Sequence, residues 1–251
     1  MEVSCILTNV DRLKQFINEN KSYQEISEYF NVSKKTIYNW CKKHRIEKPV
    51  KSCFRKYREL DVSYFNNIDN EEKAYYLGLI MSDGSLNEKV VEISLKNEDS
   101  YILERLANNL NMGGYVLGNK KNNTQKRLSI CSKHMVKSLE KYTVIPNKTF
   151  IVDMPNIDKD LLRHFLRGYF DGDGYIGERT CSLIISSETF LKSFESYYYS
   201  LFSDKIHVRK IKNSYCIDFY KRNRKFINFI YKNNNISLIR KYEKFKQYWL
   251  E

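Results

Sequence analysis

The six cysteines (Cys5, Cys41, Cys53, Cys131, Cys181 and Cys216) include no Cys-x-x-Cys pair. The usual zinc spacings are therefore missing and no disulfide framework is suggested; these read as reduced, mostly buried thiols. No apolar run approaches the ~20 residues that span a bilayer. Met1 is followed by no charged-then-apolar leader, so a soluble intracellular protein is expected, cytoplasmic in a prokaryotic or phage setting, with an organelle as the other setting. Acidic side chains are the scarcer sign, 30 against 43 Lys and Arg, for a net charge of +13 and a pI near 9.3. Such an excess implies a polyanionic partner, and without a basic amphipathic helix or lipidation signal nucleic acid comes ahead of membrane. Twenty tyrosines interleaved with Lys and Asn suit a surface that meets phosphates and sugars. Drift towards Lys, Asn, Ile and Tyr in an AT-rich genome accounts for part of the charge. The 251 residues, 42% hydrophobic, can form one large or two modest domains with a sizeable core.

Two stretches organise the chain: Tyr76-Leu77-Gly78-Leu79-Ile80-Met81-Ser82-Asp83-Gly84 and Leu166-Arg167-Gly168-Tyr169-Phe170-Asp171-Gly172-Asp173-Gly174, an internal repeat offset by 90 residues. In each, an apolar helical pattern carries a glycine, then a small residue four positions on, then Asp-Gly and a strand-like run. A glycine inside a helix costs roughly 1 kcal/mol relative to alanine, so Gly78 and Gly168 need a packing reason. Small residues four apart let backbones approach, which predicts Gly78/Ser82 against Gly168/Gly172. An acid at a helix C-terminus opposes the macrodipole, and stability does not ask for it twice. Side by side, the helices would bring Asp83 and Asp173 together beside exposed carbonyls, a hard-cation site suited to Mg²⁺. The plainer reading is a helix stop leading into a hairpin, which suits one copy better than two.

These paired segments, their spacing and the strands after them resemble the signature motifs of LAGLIDADG homing endonucleases in their single-chain, two-repeat form, over roughly residues 70–245. Met81, where that family often has an acid, and Leu77 and Arg167, in place of a small residue, depart from the pattern. The resemblance implies metal-binding by Asp83 and Asp173, with the carbonyls of Ser82 and Gly172 completing the shell. It also implies catalytic positions for Lys148 in Pro146-Asn147-Lys148-Thr149 and for Lys241, with Asn97 and Ser187 as weaker candidates.

The chain after each motif alternates. Val91, Ile93 and Leu95 oppose Val90, Glu92, Ser94 and Lys96; Leu128 and Ile130 oppose Arg127, Ser129 and Lys133. Cys181, Leu183 and Ile185 oppose Thr180, Ser182, Ile184 and Ser186, and a basic hairpin follows with His207, Arg209 and Lys212. Helices are expected from about Asp99 to Leu110 and from Glu188 to Phe202. The expected fold is α+β: two pseudo-symmetric αββαββα repeats (about 70–155 and 156–251) packed through their motif helices. Their polar strand faces would form a saddle for the major groove of double-stranded DNA; an ordinary solvated face explains the alternation but not the excess of Lys and Arg.

Before the repeats, residues 1–46 form a compact helical unit. Val10, Leu13, Phe16 and Ile17 make one face, Tyr23, Ile26 and Phe30 a second, and Val32, Ile37 and Trp40 follow a tight turn at Asn31, with Ser33 as N-cap of a helix over Lys34–Lys43. The run from Glu25 to Trp40 resembles a helix-turn-helix DNA-binding domain. That implies base-edge contacts from Lys34, Lys35, Thr36, Tyr38 and Asn39 and phosphate contacts from Lys42, Lys43 and Arg45. A small bundle that touches no DNA is the alternative. Residues 47–69 read as a basic linker without period.

A metal-dependent, site-specific double-strand DNA endonuclease, acting as a monomer, is the leading reading. A nuclease-dead DNA-binding regulator and an intron-splicing maturase that binds RNA are the alternatives.

Overall fold

The computed structural model describes residues 9–19, 21–44, 46, 59–113, 116–119, 122–145 and 152–250. The chain divides into two compact units, Met1–Arg58 and Glu59–Glu251.

In the first unit, α1 (Asn9–Asn18), α2 (Tyr23–Phe30) and α3 (Lys34–Lys43) surround a core of Leu13, Phe16, Ile17, Ile26, Ile37 and Cys41. Local chemistry fixes the ends. Ser22 and Glu25 form a capping box at the start of α2, Asn31 takes the left-handed conformation (φ 49°) that ends it, and Ser33 accepts from the Thr36 N–H at 3.1 Å to start α3.

The second unit contains two copies of one plan. In the first, α4 (Glu71–Asp83) leads into β1 (Gly84–Leu86) and β2 (Val90–Lys96), then α5 (Ser100–Asn109), β3 (Leu117–Asn119), β4 (Asn122–Cys131) and α6 (Lys133–Glu140). In the second, α7 (Lys159–Asp173) leads into β5 (Gly174–Ile176), β6 (Thr180–Ile185), α8 (Glu188–Phe202), β7 (His207–Ile211), β8 (Ser214–Tyr220) and α9 (Lys225–Tyr231), with α10 (Ile239–Tyr248) added. Each copy makes an antiparallel sheet of the same order, β1-β2-β4-β3 and β5-β6-β8-β7. Period-two alternation sends Val91, Ile93, Leu95, Leu128 and Ile130 inward in one sheet and Cys181, Leu183, Ile185, Ile217 and Phe219 inward in the other.

Residues 59–69, read from sequence as the end of a linker, pack on the first repeat. Phe65 and Ile68 are buried, the Asp61 N–H donates to Leu110 O at 3.1 Å, and Ser138 Oγ donates to Asn66 Oδ1 at 2.8 Å. Two isolated anchors carry no period, which is why the sequence pattern missed them. Among the described residues no helix is long and apolar enough to cross a membrane.

Candidate metal and nucleic-acid site

The axis of the second unit is the α4–α7 pair. A methyl group at Gly78 would run into the Phe165 carbonyl oxygen, one at Gly168 into the Tyr75 carbonyl oxygen, and one at Gly172 into Ser82, whose Cβ would lie 2.5 Å away. Glycine therefore sets the interhelical distance, at the expected level of each helix. Ser82 fits the same contact because its hydroxyl turns back to donate to Gly78 O and Leu79 O at 3.2 and 3.1 Å. Asp83 and Asp173 end the two helices as exposed residues, with Ser82 and Gly172 half-buried before them. The Asp83 side chain lies against the α7 end: a Cβ on Gly172, the residue before Asp173, would be 3.2 Å from the Asp83 carboxyl carbon.

Beneath this pair the repeats differ. Where the first repeat has Met81, the second has Asp171, fully buried. Its carboxylate accepts from Tyr75 Oη (2.8 Å), Tyr231 Oη (2.5 Å) and the Leu238 N–H (2.7 Å). Burial pushes this carboxyl up, against the nearby Lys241 ammonium and these donors. Lys241 is only 5% exposed. Its buried ammonium donates to the carbonyls of Phe170, Asp171 and Gly174 at 2.8, 2.6 and 2.5 Å, capping the negative end of α7. Burial lowers its pKa to about 8 against the opposing pull of Asp171, and Asp83 and Asp173 act on it in the same sense as Asp171. Lys148 lies outside the described residues. Ser187 is buried and caps α8, accepting from the Phe190 N–H and donating to Val152 O, while Asn97 is exposed just after β2.

One turn down α7, Arg167 is also fully buried. It donates to Glu71 Oε1 (2.6 Å), Ile230 O (3.0 Å) and Ile236 O (2.8 Å), and lies 3.0 Å from His164 Nδ1. Sequence reasoning singled out Arg167 as a departure but found none of these partners, and it missed the role of Asp171.

The polar strand faces assemble as the alternation predicts. In the first sheet Glu92 is paired with Ser129 and Ser94 with Arg127, and exposed Lys96 lies at the same face's edge opposite Gln125. Arg127 Nη1 is 3.3 Å from Glu92 Oε2. In the second sheet Tyr175, Ser182, Asp218 and His207 form one cross-strand row and Ile184, Cys216 and Arg209 the next. Lys212 occupies the β7–β8 turn at φ 51°. Tyr175, 58% exposed and two residues from Asp173, was not foreseen. In the first unit, Lys34, Lys35, Tyr38, Asn39, Lys42 and Lys43 are exposed along α3, opposite buried Ile37 and Cys41; Thr36 is half-buried, its Oγ1 2.9 Å from Ser33 Oγ.

Among the described residues no group of three or more His, Cys, Asp or Glu side chains is arranged to hold a metal ion. The ends of α4 and α7 carry the exposed carboxylates of Asp83 and Asp173 and main-chain oxygens, and oxygen donors of this kind suit a hard divalent cation that retains waters.

Residues 160–222 match the family model described as LAGLIDADG-like domain. No curated protein matches the chain. Among solved structures, the meganuclease I-SmaMI bound to uncleaveable DNA is 12% identical, over 73% of this chain and 89% of that one, with a TM-score of 0.50. I-DmoI in complex with DNA and Ca is 16% identical over 74% and 99% of the two chains, with a TM-score of 0.49. The N-terminal LAGLIDADG domain of DUF199/WhiA is 16% identical over 74% and 95%, with a TM-score of 0.48. The likeness to I-SmaMI is one of architecture, and together with the family match it gives the second unit a LAGLIDADG-like fold.

Proposed function

We propose that the protein is a site-specific, divalent-metal-dependent endonuclease of double-stranded DNA, acting as a monomer. The observation that carries this reading is that Asp83 and Asp173 are exposed at the ends of two helices, α4 and α7, which glycines hold in contact. A protein that only bound DNA would gain nothing from two acids facing phosphates.

Asp83 and Asp173, with the carbonyls of Ser82 and Gly172, would hold Mg²⁺. Such a cation, when bound, neutralises phosphate charge and makes water a better nucleophile. The chain's own part is positional. The close approach at Gly168 and Gly172 fixes the carboxylates relative to each other, and the Lys241 ammonium fixes the end of α7. Glu92, Ser94, Lys96, Arg127, Ser129, Arg209 and Lys212 would face the duplex, and α3 would act as the third helix of a helix-turn-helix, with Lys34, Lys35, Thr36, Tyr38 and Asn39 toward bases and Lys42 and Lys43 toward phosphates. The fold is one that I-SmaMI uses bound to DNA.

A second reading, a regulator that binds DNA without cutting it, draws on Lys241, whose ammonium is committed to three carbonyls and not offered to a water. Incubating the full chain with DNA of its native locus and Mg²⁺ separates the two. Double-strand breaks at one site support the nuclease; specific binding without breaks supports the regulator; a preference for RNA over duplex DNA would favour the maturase.

A further inference from the structure

Arg209 on β7 is an exposed arginine that is not left to wander. Its Nε donates to Asp218 Oδ2 and its Nη2 donates to Asp218 Oδ1 at 3.1 Å, with a longer contact from Nη2 to Cys216 Sγ at 3.5 Å. Asp218 is itself fixed. It is 6% exposed, and its Oδ1 also accepts from Ser182 Oγ at 2.9 Å and from the Cys216 thiol at 3.5 Å. The Arg209 hydrogen bond holds this carboxyl below its ordinary range against the effect of burial.

The geometry of that pair is what matters. The carboxylate takes the Nε–Nη2 edge of the guanidinium, and the arginine side chain is still 51% exposed. Side-on engagement through Nε and Nη2 leaves Nη1 and the second Nη2 hydrogen as a terminal fork turned away from Asp218. A planar fork of N–H donors matches guanine O6 and N7 in the major groove. A carboxylate buried under a surface meant for phosphates would be a liability unless its charge were paired and its partner's direction were useful.

We propose that Arg209, oriented by Asp218, is a specificity-determining residue that reads a guanine in the half-site facing the second repeat, with Asp218 as its positioning residue. This rests on the DNA-binding part of the proposed function and not on cleavage. The first sheet supplies a contrast: Arg127 reaches Glu92 through Nη1 alone, at 3.3 and 3.4 Å, and both side chains are about a third exposed. The sharper guanine preference therefore belongs to the second half-site.

The test is selection from a random duplex library by the full chain in Ca²⁺, followed by sequencing of the bound pool for the parent, Arg209→Ala, Arg209→Lys and Asp218→Asn. The expected result is one guanine position whose preference falls about ten- to a hundredfold in Arg209→Ala. Lysine should not restore it, because an ammonium lacks the fork. Asp218→Asn should weaken the same position while retaining non-specific binding, with a thermal melt to show that the variant folds. Unchanged preferences in Arg209→Ala, or a loss spread evenly over all positions, would overturn the inference. A parent pool without any sequence preference would remove both the inference and the DNA-recognition reading. A guanine preference lost as described, in a protein that never cuts, upholds the inference and removes only the nuclease.

Discussion

The Tyr75 hydroxyl on α4 donates to the Asp171 carboxylate on α7 at 2.8 Å, a bond between residues 96 apart that ties the two repeats together two residues before Asp173. Tyr231, the Leu238 N–H and the Lys241 ammonium converge on the same residue. Giving the second repeat the methionine of the first, Asp171→Met, would orphan two buried hydroxyls and an N–H and remove the carboxylate that acts most strongly on the ammonium. Breaking a buried charged network in this way costs about 3–5 kcal/mol. Denaturant unfolding should show that loss, with a smaller one for Asp171→Asn; parent-like stability of Asp171→Met would refute the role assigned to the network.

Helix spacing gives a second test. A methyl at Gly78 meets a main-chain carbonyl of the partner helix, which no rotamer change can relieve. Gly78→Ala should destabilise by the upper end of the roughly 1–3 kcal/mol typical of overpacking, despite alanine's better helix propensity. A neutral or stabilising effect would mean that the axis is looser than described.

His164 makes stability depend on pH. Burial, then the Arg167 guanidinium, lower its pKa from 6.5 to about 4, although Glu71 pulls the other way. Between those values the unfolded chain binds the proton more readily than the folded one, so stability falls as pH drops from about 6.5 to 4. Glu71, itself held below its ordinary range by Asn235, Arg167 and His164 against burial, adds a loss at the acid end. Stability measured against pH should flatten over that window in His164→Asn; an unchanged slope would show that the parent's acid sensitivity lies elsewhere.

The sequence carried the periodic part of this architecture. The glycines of the motif helices, the alternation in β2, β4 and β6, and the cap at Ser33 are local signals, and the sheets and helices follow them. The charged interior was not legible. Arg167 finds Glu71, Ile230 and Ile236, and Asp171 finds Tyr75, Tyr231 and Leu238, at separations no period encodes. Lys241 shows the same limit: its position was marked by resemblance, but its hydrogen bonds to α7 carbonyls depend on where α10 docks. Alternation puts Asp218 on the polar side of its strand, and its burial follows from the neighbours it finds there, Arg209, Ser182 and Cys216.

The N-terminal unit should contribute affinity separately from any chemistry. Its α3 exposes Lys34, Lys35, Lys42 and Lys43, and each phosphate neutralised contributes about −0.9 to the slope of log K against log salt. Removing residues 1–46 should weaken binding and make that slope shallower while some cleavage persists at high protein concentration. Equal affinity and slope in the truncated and full chains would take α3 off the DNA.

In the proposed reaction Asp83 and Asp173 act together. Changing either to Asn keeps its size and hydrogen bonding and removes one charge from the cation site. Cleavage and binding of the parent, Asp83→Asn and Asp173→Asn should be measured side by side, with Mg²⁺ for cutting and Ca²⁺ for binding. Double-strand cleavage should collapse in both variants while binding persists or tightens, because a carboxylate facing phosphates without metal repels them. Undiminished cleavage by either variant would contradict that joint role.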